Sequence, residues 1–300
     1  MADKTDIRVQ PDALKDFCVR ALRQMDVPED DARITANVLV AADFRGISSH
    51  GVARLRRYVN GLRDGVMVAR PKTKVVTETP TTLLIDADGG LGQPVSHQAM
   101  EKAIQKAEEY GVGFASTVPR GKLEVYRRLG KSIPLGWATD ETGEPTNETG
   151  RVLDNLKERA GGGLLPLGGA GELLGGHKGY GLTLLVDILS GVLPGAAYAN
   201  LVYPKDEEGK PLPSAIGHFL GAWRVDAFRP VDEFKAAMDD LQRRLKNAPK
   251  AEGQDRIYVH GEKEYEEAER NSREGVPLNP KVAADLRAIG DELDVAYDLE

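Results

Sequence analysis

Apolar residues recur every three or four positions in the N-terminal part of the chain, the spacing that places them on one face of a helix. This pattern predicts helices over Asp12–Met25, Glu29–Phe44 and Val52–Leu62. Pro11 and Asp12 stand at the beginning of the first of them, as is typical of a helix start. We therefore expect a small helical layer at the beginning of the chain.

The pattern changes after this layer, where short β-branched runs alternate with helical spacing. The segment VVTETPTTLLID is typical of two short strands around a Thr-Pro turn, whereas residues 130–176 are rich in glycine and proline and are predicted to be loop-rich. The run YGLTLLVDILSGVL is nearly all apolar and is predicted to be a buried helix. The remaining predicted elements are, in order, strands within Lys74–Asp86, a helix over Pro94–Tyr110, a strand over Val112–Thr117, the helix Tyr180–Leu193, a strand over Ile216–Val225, and helices over Val231–Leu245, Glu262–Arg273 and Pro280–Ile289.

The order of these elements predicts the fold class. Helices, then strands mixed with helices, then helices again indicate an α/β fold of the mixed α+β kind, with a central domain inside a helical layer made from both termini. We expect a helical domain of residues 1–72 and 226–300 and a mixed α/β domain of residues 73–225.

Composition and charge argue against several classes of protein. The 300 residues carry a formal net charge of −7, unlike the basic surface of nucleic-acid-binding proteins. Cys18 is the single cysteine, so neither a disulfide framework nor a cysteine-based zinc site is expected. No apolar run approaches the roughly 20 residues of a membrane span, and the first residues have no signal-peptide pattern. We therefore expect a cytoplasmic protein.

Several common motifs are absent. The sequence contains no GxGxxG after a predicted strand, no GxxxxGK[ST] and no HExxH. A Rossmann dinucleotide site and a P-loop are therefore not predicted. No two histidines are spaced as metal ligands on one element, so we expect no metal.

The stretch FRGISSHGVARLRRYV is the first candidate for chemistry. His50 can give or take a proton near neutral pH. Arg54 and Tyr58, four positions apart, share one helix face, on which a guanidinium could hold a carboxylate with two parallel hydrogen bonds. The alternative is that Ser48 or Ser49 caps the helix and the arginines are solvated.

Two further stretches suit an anionic cofactor. In GGHKGYGLTLLVDILSGVL, glycines allow close backbone approach and Lys178 stands before a helix whose amides favour anions; the alternative is a flexible loop that enters a core helix. Asp187 in that helix is either functional or satisfied by a partner. In STVPRGKLEVYRRLGK, two hydroxyls and Arg120 suit a phosphate; the alternative is an N-capped amphipathic helix.

Together these stretches resemble one family, the malate/L-lactate dehydrogenases that lack a Rossmann fold. The segments that carry the resemblance are DFRGISSHGVARLRRYV, DADGGLGQPVSHQAMEKAI, STVPRGKLEVYRRLG and GHKGYGLTLLVDILSGVL. The resemblance begins near Val19 and extends to the C-terminal helices. It implies a non-Rossmann cofactor domain inserted in a helical domain, a homodimer, and no metal. It also implies hydride transfer between NAD(H) or NADP(H) and a 2-hydroxy or 2-oxo acid.

The resemblance also implies roles for individual residues. His50 is similar to the active-site histidine of the family. Arg54, Tyr58 and Ser49 correspond to residues that bind the substrate. The cofactor-binding positions implied in the same way are Ser116, Thr117, Val118, Pro119, Arg120, His177, Lys178, Gly261 and Glu262.

The chain departs from the family pattern at one place. Members normally carry several dozen further residues between the strand at GVGFA and the segment STVPRGK, and here Ala115 is followed directly by Ser116. The departure indicates an internal deletion. Two hypotheses result: an NAD(P)-dependent 2-hydroxy acid oxidoreductase, or a non-catalytic relative that keeps the dimer scaffold and has lost cofactor binding.

Overall fold

The computed structural model describes residues 7–115, 131–213 and 216–299. These residues form two compact units. One is made of residues 7–115 with 220–299, so that both ends of the chain contribute to it, and the other lies between them in sequence.

The N-terminal helices form as the apolar spacing predicts. They are α1 (Pro11–Gln24), α2 (Glu29–Phe44) and α3 (Leu55–Arg63), the last preceded by a single 3₁₀ turn, Val52–Arg54. Their apolar faces meet those of the C-terminal helix in one hydrophobic core. Its largest fully buried side chains include Leu14, Phe17, Leu22, Leu39, Leu55, Leu286 and Ile289.

Two strands that the sequence did not predict join the ends of the chain. β1 (Ile7–Val9) pairs antiparallel with β8 (Val276–Leu278), with Val9 opposite Val276. Each strand has only three residues, too few to show the alternation of apolar and polar positions on which a strand prediction depends.

The predicted strands and helix of the following segment are confirmed. β2 (Lys74–Glu78) and β3 (Leu83–Asp86) form an antiparallel hairpin, closed where Thr79 N donates to Thr82 O at 2.9 Å. The helix α4 covers Gly92–Tyr110. The strand predicted over Val112–Thr117 is described as far as Ala115 and pairs as β4 (Val112–Ala115) with β7 (Leu220–Trp223).

The C-terminal helices of this unit are also confirmed. α7 covers Val231–Lys246, α8 covers Glu262–Glu274 and α9 covers Pro280–Leu293. In the described ranges, no helix combines the length and apolar composition that crossing a bilayer requires.

The second unit has more regular structure than predicted. Within the stretch expected to be loop-rich, α5 (Thr149–Glu158) packs on a pair of two-residue strands, β5 (Ala138–Thr139) and β6 (Gly163–Leu164). Ile133, Ala138 and Val152 form its small buried core. This helix was not predicted from the sequence. A helix of ten residues with few apolar positions gives little periodic signal among the surrounding glycines.

The run from Tyr180 to Leu193 is helical but it is not buried within the chain. α6 (Gly176–Asp187) continues into a π-helical turn, Ile188–Val192. Its apolar side chains are largely exposed, Leu182 at 58% and Leu193 at 67%. The prediction of a buried helix was wrong because an apolar composition shows what a helix must cover, and the described core of this unit is too small to cover it.

Arg56 connects α3 to α9. Its guanidinium donates to Asp285 Oδ1 at 2.8 Å and to the two carboxylate oxygens of Glu292 at 2.6 and 2.8 Å. We expect Arg56→Ala to lower the free energy of unfolding by about 1–2 kcal/mol, because a partly buried ion-pair network is lost. Urea denaturation measures this loss. Arg63→Ala removes only one bond to Glu292 and should cost less; equal stability of Arg56→Ala and the wild type would contradict a structural role.

Candidate active site

The loop between α2 and α3 holds the predicted catalytic histidine. His50 N donates to Ile47 O at 3.0 Å, which closes a turn, and Ser49 Oγ lies 2.9 Å from His50 Nδ1. A hydroxyl at that distance fixes the orientation of an imidazole ring. Ser49 and His50 are both partly exposed, while the Nε2 atom of the ring is itself buried. The loop therefore holds the ring at the edge of the protein surface.

Arg54 ends the 3₁₀ turn that follows this loop, and Tyr58 lies in the first turn of α3. Arg54 Nε donates to Ser49 O at 2.8 Å, so the arginine is anchored to the same loop as His50. The guanidinium carries further N–H donors in the planar fork that matches a carboxylate. Gln93 Nε2, from the beginning of α4, donates to Tyr58 OH at 2.5 Å. The structure thus brings Ser49, His50 and Arg54 together and fixes the Tyr58 hydroxyl from a second helix.

Gln93 was not identified from the sequence. It lies 35 positions from Tyr58, in a glycine-rich segment, and no local spacing connects the two residues. The available signal was its position in a segment that carries the family resemblance.

A buried carboxylate accepts a hydrogen bond from the backbone at the end of this loop. Asp43, in the last turn of α2, is 5% exposed, and Val52 N donates to its Oδ2 at 2.6 Å. The alternative in which Ser48 or Ser49 caps the helix is therefore wrong. Gly51 is the N-cap residue, no side chain caps from that position, and Asp43 satisfies the first amide instead.

The second unit contains two predicted cofactor residues, His177 and Lys178. Both are exposed and occupy the first turn of α6. Glycines beside them are required by close backbone contacts within the chain. A Cβ at Gly176 would lie 2.3 Å from Gly169 O, and one at Gly179 would lie 1.9 Å from Leu167 O. The backbone of residues 167–171 thus packs directly against these two glycines.

Asp187, at the end of the same helix, accepts hydrogen bonds from a backbone amide. Ala199 N lies 3.0 and 3.3 Å from its two carboxylate oxygens. Of the two alternatives for this residue, the structure shows the one in which a partner satisfies the carboxylate.

Glu262 begins α8 and takes part in ion pairs of the first unit. It contacts Lys246, it lies 3.3 Å from Arg256 Nη2, and it accepts a hydrogen bond from Val259 N at 3.0 Å. The bond from Lys246, together with that from the Val259 amide, lowers the pKa of Glu262 to about 2. The carboxylate is therefore ionised at neutral pH. Gly261, with φ 94°, is the residue that allows the turn before it.

The remaining predicted cofactor residues, Ser116, Thr117, Val118, Pro119 and Arg120, lie outside the described residues.

The single cysteine is not a candidate nucleophile. Cys18 is fully buried in the core of the helical layer, and burial, with a smaller contribution from the charge of Asp43, raises the pKa of its thiol.

Comparison with known proteins identifies the family of the chain. The sequence model of the malate/L-lactate dehydrogenase family matches residues 9–117 and 115–287, which is most of the chain. The chain belongs to this family. It is an oxidoreductase of the mixed α/β fold that the family resemblance implied.

Individual members of the malate/L-lactate dehydrogenase family match over nearly their whole length. The malate dehydrogenase of Pyrococcus abyssi is 36% identical over an alignment of 360 residues, which takes in 98% of this chain and 97% of the relative. The L-sulfolactate dehydrogenase of Methanocaldococcus jannaschii is 28% identical over 355 residues, 95% of this chain and 97% of the relative. The crystal structure of malate dehydrogenase from Entamoeba histolytica aligns with a TM-score of 0.90 at 27% identity, covering 98% of this chain and 100% of that chain.

Proposed function

We propose that this dehydrogenase transfers a hydride between NAD(H) or NADP(H) and a small 2-hydroxy or 2-oxo carboxylic acid of the malate or lactate type. The observation that carries the proposal is the loop of Ser49 and His50 with Arg54 anchored to it at 2.8 Å. These contacts, both made by Ser49, support a site in which His50 carries the proton and Arg54 binds the carboxylate. The names of the family members support the substrate class, since they act on malate or sulfolactate.

Each residue of the loop has a separate part in the proposed reaction. Arg54 holds the substrate carboxylate, so that the neighbouring hydroxyl or carbonyl oxygen is presented to His50. His50 takes the hydroxyl proton in oxidation and returns it in reduction. Ser49 keeps the imidazole in orientation, and Tyr58, fixed by Gln93, contacts the remainder of the acid.

Residues of each unit, taken separately, support a nicotinamide cofactor. The exposed ammonium of Lys178 and the imidazole of His177 stand at the N-terminus of α6, a place that favours phosphate. The ionised carboxylate of Glu262, beside Gly261, would accept hydrogen bonds from ribose hydroxyls. Ser116, Thr117, Val118, Pro119 and Arg120 are proposed to contact the cofactor as the family resemblance implies. When bound, the nicotinamide ring supplies the acceptor or donor of the hydride.

The proposal includes a homodimer in the cytoplasm. The exposed apolar side chains of α6 support an assembly in which a second subunit covers them. The helical domain of residues 1–72 and 226–300 and the cofactor domain of residues 73–225 also remain proposals.

An internal deletion at Ala115–Ser116 is proposed as well. The two matched segments of the family model meet at residues 115–117, and the alignment of 360 residues with the P. abyssi enzyme is longer than this 300-residue chain. Both facts support a segment that relatives have and this chain lacks. The alternative of a non-catalytic relative is not favoured, because the matching proteins are dehydrogenases over nearly their whole length.

The proposed function is tested by following NADH and NADPH absorbance with a panel of 2-oxo acids that includes oxaloacetate, pyruvate and sulfopyruvate. We expect consumption of one cofactor with at least one acid. Circular dichroism establishes that the protein is folded, and fluorescence of Trp137 and Trp223 reports cofactor binding. A folded protein that turns over no acid would contradict the proposal; absent cofactor binding would indicate the non-catalytic alternative.

A further inference from the structure

Asp43 is buried where the fold disfavours a carboxylate. It stands in the last turn of α2, at the negative end of the helix dipole, and that turn contains no basic residue. Burial of a carboxylate costs free energy unless hydrogen bonds replace its water. Its charge also contributes to the raised pKa of Cys18, which places the carboxylate beside the apolar core. A carboxylate is expected at such a position only where its contacts compensate for the free-energy cost of burial.

The compensating contact goes to the active-site loop. Val52 N, the first amide of the 3₁₀ turn that leads into α3, donates to Asp43 Oδ2 at 2.6 Å. The carboxylate thus replaces an N-capping side chain at the positive end of this helix. His50 lies two residues before the contact and Arg54 two residues after it. This bond therefore helps to fix the backbone between the two proposed functional side chains.

Gly51 is the partner of Asp43 in this arrangement. Its backbone, with φ −84° and ψ −158°, is open to any residue, so conformational freedom does not explain the glycine. A Cβ at this position would lie 2.1 Å from the carboxyl carbon and both carboxylate oxygens of Asp43. The loop can approach the carboxylate closely enough to bond it only because residue 51 has no side chain.

The carboxylate is itself held by a fixed frame. Asn271, fully buried on α8, donates from Nδ2 to Phe44 O at 3.0 Å, directly beside Asp43 in sequence. Arg8 Nη1 in turn donates to Asn271 Oδ1 at 3.0 Å. The end of α2 is thus hydrogen-bonded to helix α8 and, through Asn271, to strand β1. Because Asp43 lies at this fixed end of α2, its bond to Val52 N holds the loop in place.

We infer that Asp43 is a positioning residue of the enzyme, which with Gly51 sets the placement of His50 relative to Arg54. The inference rests on the proposed function for its kinetic consequence. Loss of the carboxylate releases the loop, and a displacement of about 1 Å in a reacting group lowers rates by up to about 100-fold.

A double-mutant series separates positioning from folding. Asp43→Ala should lower kcat by about 10- to 100-fold, and Asp43→Asn, which keeps an oxygen acceptor for Val52 N, should keep clearly more activity. Gly51→Ala should lower both kcat and Tm, because its methyl group meets the carboxylate. In Asp43→Ala/Gly51→Ala the methyl group occupies the space that the carboxylate has left. The Tm of this double variant should therefore be higher than that of Gly51→Ala, while its kcat stays as low as in Asp43→Ala. Asp30→Ala, an exposed carboxylate of the same helix, is the matched control.

A second readout does not depend on turnover. The imidazole Cε1–H signal of His50 in NMR, assigned with a His50→Asn variant, should move in Asp43→Ala and in the double variant but not in Asp30→Ala. If kcat recovers together with Tm in the double variant, if Asp43→Asn loses as much activity as Asp43→Ala, or if the His50 signal stays in place, the inference is overturned. An inactive wild type would instead contradict the proposed function, and the NMR signal alone would then decide.

Discussion

His50→Asn is expected to lower kcat by about 100- to 10,000-fold, the range for the loss of a general acid–base group. Asparagine can still face Ser49 Oγ, which lies 2.9 Å from His50 Nδ1 in the wild type, but it cannot carry the substrate proton. Cofactor binding measured by tryptophan fluorescence should not change. In the wild type, oxidation of the hydroxy acid should become faster as pH rises, because the neutral imidazole is the base; in the variant this dependence should disappear.

His97→Asn is the control for this prediction. His97 stands on α4 with its side chain 53% exposed, and its nearest charged partner is Glu101 at 3.7 Å. Its replacement should leave kcat and the pH dependence unchanged. If the two histidine variants retain similar activity, His50 is an ordinary loop residue and the proposed chemistry fails.

Arg54→Ala is expected to cost about 2–5 kcal/mol in transition-state binding, as for removing one partner of a shielded charge pair. That cost corresponds to a fall of roughly thirty- to several-thousand-fold in kcat/KM. Arg54→Lys should also be damaging, because an ammonium keeps the charge and loses the planar fork. The bond from Arg54 Nε to Ser49 O contributes about 1–2 kcal/mol of stability, so Tm should fall modestly.

The control for Arg54 must be chosen from the contacts of the helix. Arg56 is unsuitable, since its bonds to Asp285 and Glu292 make its replacement a stability change. Arg57→Ala, from the same helix, should alter kcat/KM little. Equal small effects in Arg54→Ala and Arg57→Ala, measured as kcat/KM with the preferred acid, would mean that the arginines do not bind the carboxylate.

The parts of the site that are close in sequence could be predicted. The segment FRGISSHGVARLRRYV places His50 and Arg54 a few positions apart, and helical spacing places Tyr58 on the face that contains Arg54. Since these relations depend only on local geometry, the structure could differ little from them. The helices α1, α2 and α3 followed from apolar spacing for the same reason.

The parts that depend on distant contacts could not be predicted. Asp43 reads in the sequence as a helix-end carboxylate, and its role follows only from the folded loop, where Val52 N and Gly51 approach it. Gln93 reaches Tyr58 across 35 positions. The exposed apolar face of α6 illustrates the same limit, because composition predicts that a helix must be covered and does not identify what covers it.

The position of a deuterium label in the product shows whether the protein transfers a hydride from the cofactor to the acid. The protein is incubated with a 2-oxo acid and with NADH or NADPH deuterated at the transferable C4 position, and the acid is analysed by mass spectrometry. We expect a 2-hydroxy acid that carries one deuterium at the carbon bearing the hydroxyl group, formed by the wild type and by His97→Asn and strongly reduced with His50→Asn. Unchanged 2-oxo acid, or a 2-hydroxy acid without deuterium, would contradict the account.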